Sequence, residues 1–386
     1  MQTLFQHNKS KIEEWFQAEW IKTPAPVYGS VDVRHAGFKS APVDMNLFPA
    51  GFNNLSAEDV TRSIELAGQA ISRDRPKAKT ILLIPENHTR NFFYWDNIKV
   101  LLSILQQAGW ATRLGALDSD PLHGACSDGS LFVVEPIVRH ENYLKLSDFS
   151  PDIILLNNDL SHAFPDLLKN VLQPILPSPA LGWHQRLKSS HFQYYANVSA
   201  EFSDEIGLDP WLISPLFRYC DHVDFSQSVD MSNLAEQVEK LFLKIQKKYD
   251  EHHIAAAPFI IMKADSGTYG MAVMTVREMQ DIYSLNRKKR SRMSVSKGGQ
   301  PVQRVLIQEG IDTIEQSVGA VAESVLYLWG ESCAGGFYRV NPLRARDENL
   351  NANGCLFKPF DKSLNECYLD SVIARLSMLA AAREVI

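Results

Sequence analysis

No stretch of the chain approaches the roughly 18 consecutive apolar residues that a bilayer-spanning helix needs, which argues against a membrane protein. The opening MQTLFQHNKSKIEEW lacks the apolar core and small-residue cleavage site of a secretory signal, so a cytoplasmic location is expected. Cysteine is sparse: Cys126, Cys220, Cys333, Cys355 and Cys367 are scattered, odd in number and form no CxxC pair. That pattern fits reduced thiols better than a disulfide framework or a zinc site. Basic residues are outnumbered as well, 39 Lys and Arg against 45 Asp and Glu, for a formal net charge of −6. A protein that tracks nucleic-acid phosphates shows the opposite balance, so no nucleic-acid partner is expected. What the chain does have is bulk. Its 386 residues, 45% hydrophobic and 22% charged, exceed one compact domain and can bury two or three packed units.

The stretch with the most chemistry is FIIMKADSGTYGMAVMTV, residues 259 to 276. Phe259 to Met262 and Met271 to Val276 have the β-branched and aromatic bias of buried strands. Between them Gly267 and Gly270 allow sharp turns and close approach of a ligand, Ser266 and Thr268 add hydroxyls, and Lys263 adds a cation, a combination that suits phosphate oxygens. An ordinary hairpin with a glycine turn has the same spacing. A Walker loop does not fit, because its lysine follows the glycines and opens a helix.

Upstream, Ser10 and Glu13 form a capping-box pattern before Ile12, Trp15, Phe16 and Trp20, which predicts a helix docked by its aromatics. Residues 27 to 55 read as a packed loop in which Asp32, Arg34, Lys39, Asp44, Asn46, Asn53 and Asn54 sit among apolar anchors. Charges of both signs suit a zwitterionic ligand, and they also suit plain solvation. Ser56 with Asp59 caps a helix bearing Val60, Ile64, Ala67 and Ile71. A strand Thr80 to Ile84, the loop PENHTRN and a helix with Ile98, Leu101, Leu102 and Leu105 inward then make the repeating unit of an α/β sheet, whose ligands sit beyond strand carboxyl ends. Glu86, Asn87 and Arg90 are site candidates by that position, and NNDLSH after the strand Ile153 to Leu156 is a second such loop. The proline-rich residues 174 to 190 look like a linker, dividing an α/β domain, 1–180, from a second domain, 181–386.

In the second part, Leu234 to Tyr249 predicts an amphipathic helix with Val238, Leu241, Phe242 and Ile245 buried. The basic run NRKKRSR and the loop SVSKGGQ read as a solvated face or a lid. Val302 to Gln308 is a strand leading into Glu309. VAESVLYLW alternates, so Glu323 shares a face with Val325 and Tyr327, where a carboxylate needs a partner or a cation. GGFYRVN places Arg339 near a strand end, residues 341 to 354 form an irregular Asn-rich loop, and Tyr368 to Arg383 is a closing helix.

The order of these pieces resembles the ATP-grasp ligases such as glutathione synthetase. The phrases VRHAGFKSAPVDMNLFPAGFNNL, PENHTRN, MKADSGTYGM, SKGGQPVQRVLIQEG and GGFYRVN more closely resemble the proteobacterial glutamate–cysteine ligase family of ATP-grasp type, over nearly the whole chain. The resemblance implies an ATP-grasp fold behind a Rossmann-like pre-ATP-grasp domain, and an enzyme that joins L-glutamate to L-cysteine with ATP as substrate and Mg2+, or Mn2+ in its place, as metal. It implies that Lys188 and Lys263 contact ATP phosphates, that Ser266, Gly267, Thr268, Tyr269 and Gly270 cover them, and that Gln308, Glu309, Gly310 and Ile311 meet adenine and ribose. Arg339 and Lys263 would serve catalysis. Glu323 would hold the metal, with Asn341, Asn349 and Asn351 as candidates for the accompanying amide. Glutamate would be taken by Asp32, Arg34, Lys39, Asp44, Asn46, Asn53, Asn54, Glu86, Asn87 and Arg90. The rival readings are a ligase for other amino acids or peptides and a non-catalytic nucleotide-binding protein; a homo-oligomer is compatible with either.

Overall fold

The protein's computed structural model describes residues 1–87, 91–225, 228–267, 272–285, 293–294, 302–360, 363 and 366–385. Three sheets carry the fold. The first runs in the order Ile175–Leu176, Ile153–Asn157, Thr80–Pro85, Ala111–Ala116, Leu131–Pro136 and Leu122–Ala125, with every pairing parallel except the last. Its central strands are apolar along their length because both faces are covered. Leu83 and Leu155 pack with Ile71 and Leu101 of the helices Ala57–Asp74 and Phe92–Gln107, whereas Leu82, Ile84 and Leu156 face the opposite core. The Ser56 hydroxyl accepts from Asp59 N at 3.1 Å, the cap expected of it. The other expected cap does not form: Ser10 lies inside the helix Lys9–Lys22, whose N-cap is Asn8, although Ile12, Phe16 and Trp20 are buried as predicted.

Residues 27 to 55 are not the loop that their charges suggested. Tyr28–His35 and Ser40–Asn46 form a hairpin inside an antiparallel sheet whose order is Leu356–Pro359, Ser332–Val340, Ala320–Trp329, Tyr28–His35, Ser40–Asn46. The physical reason is the period of two in SVDVRH: Val31 and Val33 pack against the helix Tyr368–Arg383, and Asp32 and Arg34 project from the other face. This sheet joins strands from both ends of the chain, so a boundary at residue 180 does not follow the sheets.

The third sheet, Phe217–Asp221, Arg304–Glu309, Ile260–Ala264 and Val273–Val276, is antiparallel throughout. Val305, Ile307, Ile260 and Met262 pack beneath Leu234, Val238, Leu241 and Ile245 of the helix Ser228–Glu251. The alternate residues Gln308, Ile261 and Lys263 therefore face away from that helix, toward the central sheet. Among the described residues no helix is long and apolar enough to cross a membrane.

Candidate functional site

The site grows from the charged face of the central sheet. Pairing places Asp32 opposite Asp44, and Glu323 opposite Arg339. Arg339 Nη1 lies 2.6 Å from both Asp32 and Glu323, and Arg34 Nε donates to Glu323 at 2.6 Å. Burial alone would push the Glu323 carboxyl up, but Arg34 and Arg339 hold it below its ordinary value. Asp32 goes the other way: burial outweighs the pull of Arg339, and the Glu323 charge adds to the rise. Glu323 is thus not a lone carboxylate on an apolar face; two guanidinium groups meet its desolvation cost.

A long-range helix cap brings the two lysines to this face. The helix Lys188–Ile206 has no side-chain cap from its own N-terminus. Instead the Asp265 carboxylate accepts from Ser189 N and from the Ser189 hydroxyl, each at 2.6 Å, and the Asp265 carbonyl accepts from Lys188 N at 2.8 Å. A carboxylate is favourable there because the helix start carries unpaired N–H groups and a partial positive charge. Lys188 Nζ then reaches Asp44 at 2.6 Å, and Lys263 Nζ donates to the Val43 carbonyl at 2.6 Å. Burial pushes the Lys263 ammonium down to about 8 against the pull of Asp44. Asp44, which burial alone would push up, is held at about 2 by Lys188 and Lys263.

Two cavities meet along this charged wall. The first lies between the third sheet and the central sheet and is lined by Ile261, Lys263, Val273, Gln308 and Ile311 on one side and by Arg34, Glu323 and Asn349 on the other. The second lies between the central sheet and the strand ends of the parallel sheet, with Asn46, Asn54, Glu86, Asn157, Asp159 and Lys188 in its walls. Asp32, Asp44, Arg339 and Asn351 line both. At the strand ends the Tyr94 hydroxyl accepts from Glu86 N at 2.7 Å and donates to the Asn157 carbonyl at 2.9 Å, while Glu86 accepts from Asp159 N at 2.8 Å. Gln308 Nε2 and Arg339 Nε are buried donors with no partner among the described residues. Buried donors are normally satisfied, so these two point to an acceptor-rich ligand.

The expected residues divide accordingly. Asp32, Asp44, Asn46, Asn54 and Glu86 line the second cavity. Arg34 does not; it lines the first and spends its other nitrogens on the Glu348 carbonyl at 2.7 Å and the Ile311 carbonyl at 3.3 Å. Lys39 faces neither: it is 0% exposed and paired with Glu309 at 2.7 Å. Asn53 lines neither cavity, and Asn87 is exposed and bonded to Asp118 at 2.5 Å. Among the nucleotide candidates, Lys263, Gln308, Glu309 and Ile311 line the first cavity and Lys188 the second. The Glu309 carboxylate, however, is taken by Lys39, by Trp211 Nε1 at 3.1 Å and by Leu216 N at 2.8 Å. Gly310 is required where it stands, since a Cβ there would lie 2.1 Å from the Phe259 ring. Ser266 is exposed, and Gly267 takes the left-handed φ of +90° that favours glycine. Arg90, Thr268, Tyr269 and Gly270 lie outside the described residues, as does nearly all of the basic stretch 286–300.

Among the metal candidates, Glu323, Asn349 and Asn351 line the first cavity, but Asn341 is consumed by its own loop. Its oxygen accepts from Leu343 N at 3.0 Å and its amide donates to the Leu350 carbonyl at 3.2 Å. The described residues contain no group of three His, Cys, Asp or Glu side chains poised around one point. Mg2+ is commonly held by one or two carboxylates together with substrate phosphates, and the hard oxygens of Asp32, Glu323 and Asn351 on the first cavity fit that chemistry. Sequence reasoning missed Tyr94, Trp183, Tyr327, Phe337 and Phe357 in the second cavity. Alternation had put Tyr327 on the right face, and NNDLSH had marked Asn157 and Asp159; nothing local marked Trp183.

Comparison with known proteins bears on this geometry. The profile of a family described as Glutamate-cysteine ligase matches residues 2–385. A solved structure from Methylobacillus flagellatus KT, described as a candidate gamma-glutamylcysteine synthetase, superposes with a TM-score of 0.91 at 43% identity, covering 100% of this chain and 95% of its own. D-alanyl-alanine synthetase A from Vibrio cholerae covers 77% of this chain and 81% of its own at 11% identity and a TM-score of 0.34. A glutathione synthetase-like effector from Globodera pallida covers 88% and 77% at 9% identity and a TM-score of 0.38. No curated protein sequence matches.

Proposed function

The chain belongs to the glutamate–cysteine ligase family, and from that premise we propose that ATP occupies the first cavity, the two amino acids occupy the second, and phosphoryl transfer takes place at the wall between them. The enzyme is an ATP-dependent carboxylate–amine ligase that joins the side chain of L-glutamate to the amine of L-cysteine. The observation that carries the placement is the sharing of Asp32, Asp44, Arg339 and Asn351 by both cavities. In the first step the glutamate side-chain carboxylate attacks the γ-phosphorus, the bond to the departing ADP oxygen breaks, and γ-glutamyl phosphate forms. In the second, the cysteine amine attacks the acyl carbon, inorganic phosphate leaves, and the amine proton passes to solvent or to a nearby carboxylate.

Such transfers depend on positioning and charge neutralisation more than on a nucleophile from the chain. Arg339 reaches both substrates, Lys263 meets the phosphates from the first cavity, and Lys188 approaches the acyl group from the second. Gln308 and Ile311 contact the base on the cleft face, in the manner of an ATP-grasp hinge. Mg2+ is the proposed ion, held by Glu323 and Asn351 with Asp32, and when bound it offsets phosphate charge. The amino-acid cavity draws on both parts of the chain, Glu86, Asn157 and Asp159 from the parallel sheet and Lys188, Tyr327 and Arg339 from beyond residue 180, whereas the nucleotide cavity lies between the third sheet and the central sheet. The five free cysteines support a reducing, cytoplasmic setting. The test is to supply ATP, Mg2+, glutamate and cysteine and to follow ADP and γ-glutamylcysteine together. Equal formation of the two supports the reading; ADP release indifferent to both amino acids, or equal product with aspartate in place of glutamate, refutes it.

A further inference from the structure

The second cavity is lined in part by aromatic rings that the scheme above does not use. Tyr327 and Phe337 come from the strands that also carry Glu323 and Arg339, and Phe357 from the edge strand beside them. The rings step outward from the core, with centroids 4.9 Å apart for Phe52 and Tyr327, 5.6 Å for Tyr327 and Phe337, and 5.3 Å for Phe337 and Phe357. Tyr327 is only 3% exposed and lines the second cavity. A phenol that opens onto a cavity offers its O–H to whatever occupies it. Residue 51 must be glycine for the hydroxyl to sit where it does, because a Cβ there would lie 2.5 Å from that hydroxyl and 3.3 Å from the Phe337 ring. Burial holds the phenol well above its ordinary value, so it stays a donor.

We propose that Tyr327, Phe337 and Phe357 form the subsite of the acceptor amino acid, with the rings covering its CH2–SH side chain and the Tyr327 hydroxyl donating to its carboxylate. The inference rests on the ligase reading. The donor, glutamate, brings two carboxylates and an ammonium and belongs at the charged end with Lys188, Asp44 and Glu86. The acceptor brings a small, polarisable thiol that sits well against ring edges. Arg339 lines the same cavity as the rings and as Lys188, Asp44 and Glu86, so an amine held against the rings shares one space with the acyl group.

The experiment is steady-state kinetics of the parent, Tyr327→Phe and Phe357→Ala, each substrate varied in turn. Loss of a hydrogen bond to a charged group should raise the cysteine KM of Tyr327→Phe on the order of ten- to a hundred-fold, with the glutamate and ATP values within about twofold. Phe357 is 41% exposed on an edge strand, so its truncation leaves the core intact; it should raise the preference for homocysteine over cysteine by roughly tenfold in kcat/KM. A glutamate KM that rises while that of cysteine stays overturns the assignment, as does a rise in all three constants or no change in either variant. A parent that makes no γ-glutamylcysteine overturns the ligase reading itself, whereas an active parent with unaltered variants overturns the subsite alone.

Discussion

Replacing Lys39 by Met separates a structural ion pair from a substrate contact. The charges and apolar anchors around Lys39 suggested a hand for a substrate carboxylate, but its ammonium lies 2.7 Å from Glu309 with both side chains 0% exposed. It also stands 4.3 Å over the Trp211 ring. Removing it leaves Glu309 buried with two neutral donors, Trp211 Nε1 at 3.1 Å and Leu216 N at 2.8 Å. Breaking one side of a buried pair costs about 3–5 kcal/mol, and the two surviving hydrogen bonds place this case near the lower figure. The double variant Lys39→Met/Glu309→Gln buries no charge and should recover most of the loss. Urea midpoints of the three proteins, set beside their glutamate KM values, decide the matter. Because Gln308 and Ile311 flank the pair and line the first cavity, the ATP constant is the one expected to drift. A Lys39→Met protein with the parent's midpoint and a glutamate KM raised about tenfold would refute the reasoning and return Lys39 to the substrate.

Lys263, held down at about 8 by burial, carries its charge below that pH and loses it above. kcat/KM for ATP should therefore fall as pH rises through about 8, and Lys263→Arg, which stays charged, should remove that fall; a decline at the same pH in the variant assigns it to another group. Arg34→Met should raise the ATP KM and spare that of glutamate, since Arg34 lines only the first cavity; the reverse pattern would place it with the amino acid. Glu323→Gln leaves Arg34 and Arg339 facing each other with the carboxylate between them gone. It should cost about 3–5 kcal/mol in stability as well as turnover, and a variant with the parent's urea midpoint would show the network to be dispensable.

The elements legible in the sequence were those whose pattern is local. The helix Tyr368–Arg383, the strand Ile153–Asn157, the cap of Ser56 on Asp59 and the amphipathic helix around Val238, Leu241 and Ile245 all follow from spacing that a single element must satisfy. The alternation of VAESVLYLW likewise put Glu323, Val325 and Tyr327 on one face, where the cavities find them. The hairpin 28–46 was hidden because its outward face is charged and its partner strand lies nearly 300 residues away in sequence, at 320–329. Pairing was hidden for the same reason. A carboxylate on an apolar strand demands a counter-charge, but sequence does not say whether that charge is a metal or an arginine; Arg34 and Arg339 answer for Glu323, and Glu309 answers for Lys39.

The same pairings explain why a ligase of this kind needs charge from outside the chain. The two cavities are lined by six carboxylates, Asp32, Asp44, Glu86, Asp159, Glu309 and Glu323, against four cations, Arg34, Arg339, Lys188 and Lys263. Almost every cation there already faces a carboxylate at about 2.6 Å, so the wall holds no surplus of positive charge before any substrate arrives. ATP brings about four negative charges and glutamate a further net one, and in a site that excludes water those charges repel strongly unless they are offset. Four cations among six carboxylates do not offset them. The hard-oxygen donor set on the first cavity is therefore consistent with the electrostatic demand: the carboxylates that consume the arginines are also the groups suited to a divalent ion. Under the proposed placement of the substrates, Arg339, whose Nη1 is bound to Asp32 and Glu323 and whose Nε is unpartnered among the described residues, would be the side chain to follow negative charge from the phosphate of one cavity to the acyl group of the other.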